Sequence, residues 1–298
     1  YKDSSFAMMQ EAATRGHMLY ALQQGDLLLQ DGVVTASLQT LRLTGHTRDW
    51  YHAGTAMQQD LSEFDAVLMR KDPPFDMEYL YSTYLLEIAQ QQGARVLNNP
   101  RALRDYNEKL SIARFPQFTP PTRVTRHAEI IKAFLATHGD IVLKPLDAMG
   151  GSSVFRLHGE SRNTNVIIET ITQHGKRTVM AQRYIPAIAR GDKRILLIDG
   201  EVVPYALARI PAPGETRGNL AAGAKGVAQP LSERDREIAT VLGPPLKEAG
   251  LFLVGLDVIG DYLTEINVTS PTCMREIMDQ TSFNVAGMAI DALERLCA

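Results

Sequence analysis

The chain has 298 residues, is 45% hydrophobic and 22% charged, and carries a formal net charge of −3. That balance argues against a general nucleic-acid or membrane surface, so any anion site must be local. Cys273 and Cys297 supply no disulfide framework and fit a reducing cytosol, and no apolar run is long enough to span a bilayer.

The chain opens at Tyr1, without an initiator Met, directly into a helix-like segment. A first strand and loop are therefore expected to precede it in the natural protein. Asp3-Ser4-Ser5 marks a helix start and Gly16 its stop. Residues 17–22 read as a strand, and Leu27–Gln30 and Val33–Leu43 flank Asp31-Gly32, a hairpin signal. A buried strand over 65–70 delivers Arg70-Lys71-Asp72 into a Pro73-Pro74 loop. Residues 77–92 are a helix closed by Gly93, and 95–97 a short strand. Alternating strands and helices predict an open α/β layer over residues 1–105. Ligands of such sheets sit at the carboxyl ends of strands, which is where Arg70 and Asp72 fall.

Residues 98–121 read as a connector holding a helix around 107–114. A second unit, within 106–190, has a helix at 127–137, a strand at 141–144, a loop at 145–153 and a strand at 154–157. A helix at 165–174 and a strand at 178–185 complete it. The third, 191–298, begins with a hairpin turning at Asp199-Gly200, followed by the glycine-rich loop 211–226. Its helix after Ser232 is expected to be interrupted by Pro244-Pro245, and a closing helix spans about 284–296. No internal repeat or low-complexity tract is present.

Between those two helices lies GLDVIGDYLTEINVTSPT (255–272), which puts carboxylates inside what otherwise reads as buried strand. A Gly260-Asp261 turn folds it into an antiparallel hairpin. With the turn centred on Asp261, Asp257 lies opposite Glu265 and Asn267 shares their face, while Leu256 meets Ile266 on the other. Two acids and an amide beside a core are too costly to desolvate unpaired. Three hard oxygen donors with no His or Cys nearby point to Mg²⁺ or Mn²⁺.

Other segments offer complementary chemistry. Lys144 ends an apolar strand and is followed by Gly150-Gly151-Ser152-Ser153, a point charge and a small-residue loop suited to phosphate. Taken alone, this reads equally well as a hairpin turn with a snorkelling lysine, and no GxxxxGK[ST] motif occurs. Lys109 alone would be a helix-surface lysine. The stretch Gln182-Arg183-Tyr184-Ile185 offers backbone groups to a flat heterocycle, or is simply a strand end. Arg194, Arg209 and Arg217 lie on or beside the third unit's hairpin and its loop, and arginines suit carboxylates, phosphates and developing oxyanions. The loop's length and its place between Arg209 and the acid hairpin favour a lid over a linker. Ser270-Pro271-Thr272 offers hydroxyls and N–H groups to a carboxylate, with a plain turn as the default. Cys273 has no evident His partner and reads as a structural thiol, and the seven scattered His take no role.

Together, Lys109, Lys144 with its loop, the 182–185 strand end and the Asp257/Glu265/Asn267 triad resemble the ATP-grasp carboxylate–amine ligases, and more closely the bacterial-type glutathione synthetase family. The resemblance covers essentially the whole chain through KDSSFAM (2–8), MRKDPPFD (69–76), KPLDAMGG (144–151), GDKR (191–194), ARIPAPGETRGNLAAG (208–223) and GLDVIGDYLTEINVTSPT (255–272). Two departures stand out. The family's leading strand is absent before Tyr1, and Ala148-Met149-Gly150-Gly151 has one glycine fewer than expected.

The resemblance implies an ATP-grasp fold (α/β or α+β) with an N-terminal open α/β, pre-ATP-grasp domain, and a cytoplasmic homo-oligomer, a tetramer. It implies ATP bound by Lys109, Lys144, Gly150, Gly151, Ser152, Gln182, Tyr184 and Ile185, and Mg²⁺ or Mn²⁺ on Asp257, Glu265 and Asn267. Catalysis would fall to Arg209 and Arg194, and substrate binding to Arg70, Asp72, Arg217, Asn219, Ser270 and Thr272. The implied reaction joins γ-glutamylcysteine and glycine with ATP, giving glutathione, ADP and phosphate. No nucleic acid or membrane partner is expected. Two other readings remain open: an ATP-grasp ligase for a different acid and amine, and a non-catalytic nucleotide-binding module.

Overall fold

Asp3 accepts a hydrogen bond from Phe6 N (2.8 Å) and so caps helix α1 (Ser4–Thr14), which Gly16 stops at a φ of 88°. The computed structural model describes residues 3–46, 48–147, 151–159, 161–214, 218, 220 and 223–298. Strands β1 (Leu19–Ala21), β2 (Leu27–Gln30), β3 (Val33–Leu43), β4 (Tyr51–Ala53) and β5 (Met57–Asp60) form an antiparallel sheet in which β3 pairs with the other four. The β2–β3 hairpin turns on Asp31 and Gly32, both at positive φ. The α/β layer is accordingly narrow. Among the described residues, only β6 (Val67–Leu68) and β7 (Val96–Leu97) pair in parallel, joined through α2 (Met77–Gln91). The 65–70 stretch was expected to be a buried strand, but its paired residues are half-buried and Arg70 lies beyond them.

The helix expected around 107–114 is displaced. Asn99 accepts from Arg101 N (2.9 Å) and Ala102 N (3.3 Å), and Pro100 takes the first helical position, where its missing N–H is no loss. Helix α3 (Pro100–Asp105) results, and Leu110–Arg114 is a short 3-10 turn.

The second unit contains β8 (Thr122–Thr125), α4 (Ala128–His138), β9 (Asp140–Pro145), β10 (Phe155–His158), α5 (Thr164–Ile171) and β11 (Val179–Arg183). Its antiparallel sheet runs β10-β9-β11-β8. Ile131 and Phe134 of α4 and Ile168 of α5 pack on Ile141, Leu143 and Val179 of that sheet. Strand β11 ends at Arg183, two residues earlier than expected, where its partner β9 begins at Asp140; Tyr184 N makes the last bond to it, with Asp140 O (3.0 Å).

The third unit is built on β12 (Asp192–Ile198), β13 (Glu201–Ile210), β14 (Lys225–Pro230), β15 (Leu253–Ile259) and β16 (Tyr262–Asn267), in the order β14-β13-β12-β15-β16. Its helices are α6 (Glu233–Glu248), α7 (Met274–Thr281) and α8 (Val285–Cys297). Strand alternation divides the core. Ile195 and Leu197 join Ile238 and Leu242 of α6, whereas Leu196 and Ile198 join Met274, Ala289 and Ala7 of α7, α8 and α1.

Pro244-Pro245 does not interrupt α6, contrary to expectation. An interior proline costs ~3 kcal/mol. Ile238, Ala239, Leu242 and Leu246 are all fully buried, and large apolar side chains contribute ~1.5–3 kcal/mol each, so packing holds the helix through the prolines. Among the described residues, no helix is long and apolar enough to cross a membrane.

Candidate active site

The acid hairpin brings the expected residues together, but by a different register: the turn centres between Gly260 and Asp261 (Ile259 opposite Tyr262, Val258 opposite Leu263) and not on Asp261. Asp257 lies opposite Glu265, Leu256 opposite Ile266, and Gly255 opposite Asn267. A bulge between Asp257 and Val258 leaves Thr264 as the extra residue, and its hydroxyl donates to Asp257 O (3.1 Å). Strand β12 places Arg194 opposite Asp257, and β13 places Arg209 opposite Asp192.

These four side chains form one network, with Arg194, Arg209 and Asp257 buried and Asp192 half-buried. Arg194 grips Asp257 with two hydrogen bonds, Nε to Oδ1 (2.5 Å) and Nη2 to Oδ2 (3.0 Å). Arg209 Nη2 reaches the same Oδ2 at 3.0 Å and Asp192 Oδ2 at 2.6 Å. Burial alone would raise the Asp257 pKa, but the two guanidiniums outweigh it and hold the carboxyl far below the usual range. Asp192, with less compensation, is pushed up to about 7 by burial. Burial also opposes the Arg209 charge, and the two acids more than restore it.

Lys109 and Lys144 converge on the other acid. Their Nζ atoms lie 3.7 and 3.6 Å from Glu265 Oε1, and both side chains are buried. Lys109 is therefore not the surface lysine that a helix would present. Asn107 Oδ1 accepts from Lys109 N (3.2 Å) and Leu110 N (2.9 Å) and turns the chain inward. Lys144 Nζ also donates to Thr264 O (3.3 Å), and burial lowers its pKa despite Glu265. Asn267 donates from Nδ2 to Gly255 O (3.2 Å), which uses the donor end of its amide. Among the described residues, no three His, Cys, Asp or Glu side chains cluster closely enough to hold a metal. A cation here would rest on two acids and an amide oxygen, a donor set that fits Mg²⁺ or Mn²⁺.

The remaining candidates line the approaches. Gln182 is buried and donates to Thr122 Oγ1 (3.1 Å), and the Tyr184 ring is covered by the Arg156 guanidinium, 3.6 Å from its centroid. Ile185 follows in an extended conformation. Gly151 has a φ of 76° and Ser152 is exposed. Arg70 Nη2 donates to Pro271 O (2.8 Å) and Nε to Ser5 Oγ (3.1 Å), tying the Ser270-Pro271-Thr272 turn to the N-terminal helix. Burial lowers its pKa to about 10. Ser270 is half-buried, and Asp72 and Thr272 are exposed. Gly150, Arg217 and Asn219 lie outside the described residues, as does much of the expected lid. Within that loop, Gly218 presses on the network: an added Cβ would meet Asp192 Cβ at 2.8 Å and Arg209 O at 2.9 Å. Cys273 is buried, which pushes its thiol pKa up and fits a structural role.

Three residues went unnoticed in the sequence. Glu108 Oε1 accepts from Val268 N (3.0 Å), Thr269 N (3.1 Å) and Thr269 Oγ1 (2.8 Å), and Glu108 O accepts from Ile266 N (2.8 Å). It thereby fastens the Lys109 turn to the end of β16. Asn98 donates to Leu253 O and Val268 O and accepts from Leu253 N, fixing β15 and β16 from behind. Asp192 is the third. Its only signal was its place two residues before Arg194 in GDKR.

Comparison with known proteins agrees with this architecture. The family model described as the prokaryotic glutathione synthetase N-terminal domain matches residues 1–104, and that of the prokaryotic glutathione synthetase ATP-grasp domain matches 108–282. Among solved structures, the ATP-grasp ligase PsnB complexed with minimal precursor, Mg and ADP superposes with a TM-score of 0.64 at 19% identity, covering 98% of this chain and 94% of that one. The D-cycloserine synthetase DcsG gives 0.62 at 19% identity, covering 80% and 86%. The chain is thus an ATP-grasp protein. Glutathione synthetase of Ralstonia nicotianae is 62% identical over 295 residues (99% of this chain, 91% of that protein), and that of Nitrosomonas europaea is 63% identical over 298 (99% and 93%). The chain belongs to the prokaryotic glutathione synthetase family.

Proposed function

We propose that the chain joins γ-glutamylcysteine to glycine with ATP, forming glutathione, ADP and phosphate. One observation carries this reading. Asp257 and Glu265 sit side by side on one hairpin, ringed by four buried cations, Lys109, Lys144, Arg194 and Arg209. Such a surplus of fixed positive charge suits a polyphosphate and the anions formed from it.

A carboxylate is a poor electrophile. Transfer of the γ-phosphoryl group of ATP to the dipeptide's C-terminal carboxylate converts it to an acyl phosphate, which the glycine amine attacks with loss of phosphate. Lys109 and Lys144 hold the phosphates from beside Glu265. Gly150, Gly151 and Ser152 give backbone donors, and Gln182, Tyr184 and Ile185 edge the adenine pocket. Arg209, supported by Arg194, faces the tetrahedral oxyanion. Arg70, Asp72, Arg217, Asn219, Ser270 and Thr272 bind the acid substrate. Asp257, Glu265 and Asn267 would hold Mg²⁺ or Mn²⁺, which when bound neutralises and orients phosphate oxygens.

In the same reading, residues 1–105 form the substrate domain, 106–190 the upper and 191–298 the lower half of the ATP grasp. The free thiols of Cys273 and Cys297 fit a reducing cytosol. The assembly is a tetramer, which sedimentation equilibrium tests. The activity is tested by ADP formation from ATP with γ-glutamylcysteine, with and without glycine. Turnover that needs both substrates is expected. Turnover with a different acid and amine but not with this pair would move the chain to another ligase chemistry.

A further inference from the structure

Arg209 is held by two carboxylates, and only one of them belongs to the acid hairpin. The other, Asp192, opens β12 directly opposite Arg209. Gly191 before it has a φ of 112°, and a Cβ there would lie 3.1 Å from Ala208 Cβ and 3.4 Å from Arg209 N. The 191–192 backbone can therefore lie flat on the Arg209 strand. From that position Asp192 engages Arg209 twice: its carbonyl oxygen accepts from Nε (3.2 Å) and Oδ2 accepts from Nη2 (2.6 Å).

We infer that Asp192 is a positioning residue that fixes Arg209 through its charge. This rests on the reading of Arg209 as the oxyanion group. Buried acids with a purely structural role have both oxygens bonded as a rule. Asp192 Oδ1 is buried with no hydrogen-bond partner among the described residues, so the side chain's polar contact is the one that Oδ2 makes to Arg209. The geometry also explains why a second acid is needed. Arg194 already occupies both oxygens of Asp257, and Arg209 shares one of them at 3.0 Å. Without the pull of Asp192, the Arg209 guanidinium would have Asp257 as its sole carboxylate and would settle against it, away from the reacting carbonyl. With Asp192 ionised, the guanidinium is stretched between two anions and keeps one orientation.

A double-mutant cycle tests this, using Asp192→Asn, Arg209→Lys and the pair in the full chain. Asp192→Asn keeps the side-chain shape and removes its charge. It is expected to lower kcat about 10- to 100-fold, the span of one charge-assisted hydrogen bond, while KM for ATP stays within about twofold. In the Arg209→Lys background the same change should cost no more than about twofold. Asp192→Glu, which keeps the charge, should lose less than Asp192→Asn. An equal loss in both backgrounds, or an unchanged kcat in Asp192→Asn, would overturn the inference. If Asp192→Asn does not fold, Asp192→Ser, which also removes the charge, carries the same cycle. Absence of turnover in the parent chain would count against the ligase reading, and not against this one.

Discussion

Replacing Glu265 by Gln deletes one negative charge between two buried ammonium groups, at 3.6 and 3.7 Å. At an effective dielectric near 20, a contact at ~4 Å is worth ~4 kcal/mol before desolvation is counted. Removing one partner of a buried pair costs ~3–5 kcal/mol. The Glu265 side chain keeps 23% of its exposure, which favours the lower end. A loss of ~3 kcal/mol corresponds to roughly 6–12 °C in Tm for a domain of 150–250 residues. Thermal unfolding of the two proteins reads this directly. ATP should raise the Tm of both proteins, a ligand at 100 times its Kd adding ~2.7 kcal/mol. Turnover, followed by ADP formation, is expected to fall at least ~100-fold. Near-normal turnover at ordinary Mg²⁺ would refute the placing of the metal, and an unchanged Tm would refute the neutralising role of Glu265.

Lys144→Met should raise KM for ATP by roughly tenfold or more, because it removes a buried phosphate cation. The KM for the dipeptide should stay nearly constant, and steady-state kinetics with each substrate varied in turn separates the two. The sulfur of γ-glutamylcysteine is a spectator in both chemical steps, and a small apolar contact discriminates by only ~1–3 kcal/mol. γ-Glutamyl-2-aminobutyrate should therefore be ligated to glycine within roughly a factor of ten, equivalent to ~1.4 kcal/mol. A loss of several orders of magnitude would show the thiol to be chemically engaged.

How much of this was legible depended on the range of the interaction. The Asp257–Glu265 pairing was legible from a period of two and one turn, but the turn sits half a residue earlier than expected and the bulge at Thr264, which the sequence did not announce, restores the pairing. Arg194 and Arg209 stood out by residue type, but their shared grip on Asp257 depends on three strands meeting in the order β13-β12-β15, which no window of sequence contains. Glu108 and Asn98 act on backbone groups about 160 residues away, at 268–269 and 253, and each looks locally like an ordinary polar residue. The prolines of α6 were misjudged for the same reason. Their local cost is visible in the sequence, whereas the burial of Leu242 and Leu246 that outweighs it is tertiary. Asn99-Pro100, by contrast, carries a local helix-start signal that the connector reading passed over.

The central claim is that the dipeptide carboxylate is phosphorylated before the amine attacks. It is tested most directly with γ-glutamylcysteine labelled with ¹⁸O in both oxygens of its C-terminal carboxylate, incubated with ATP and glycine. One carboxylate oxygen attacks the γ-phosphorus and becomes the bridging oxygen of the acyl phosphate, and it leaves with the phosphate when nitrogen takes its place. Mass spectrometry should therefore find one ¹⁸O in each inorganic phosphate released and one in each new amide. Phosphate free of label, formed alongside glutathione, would contradict the account.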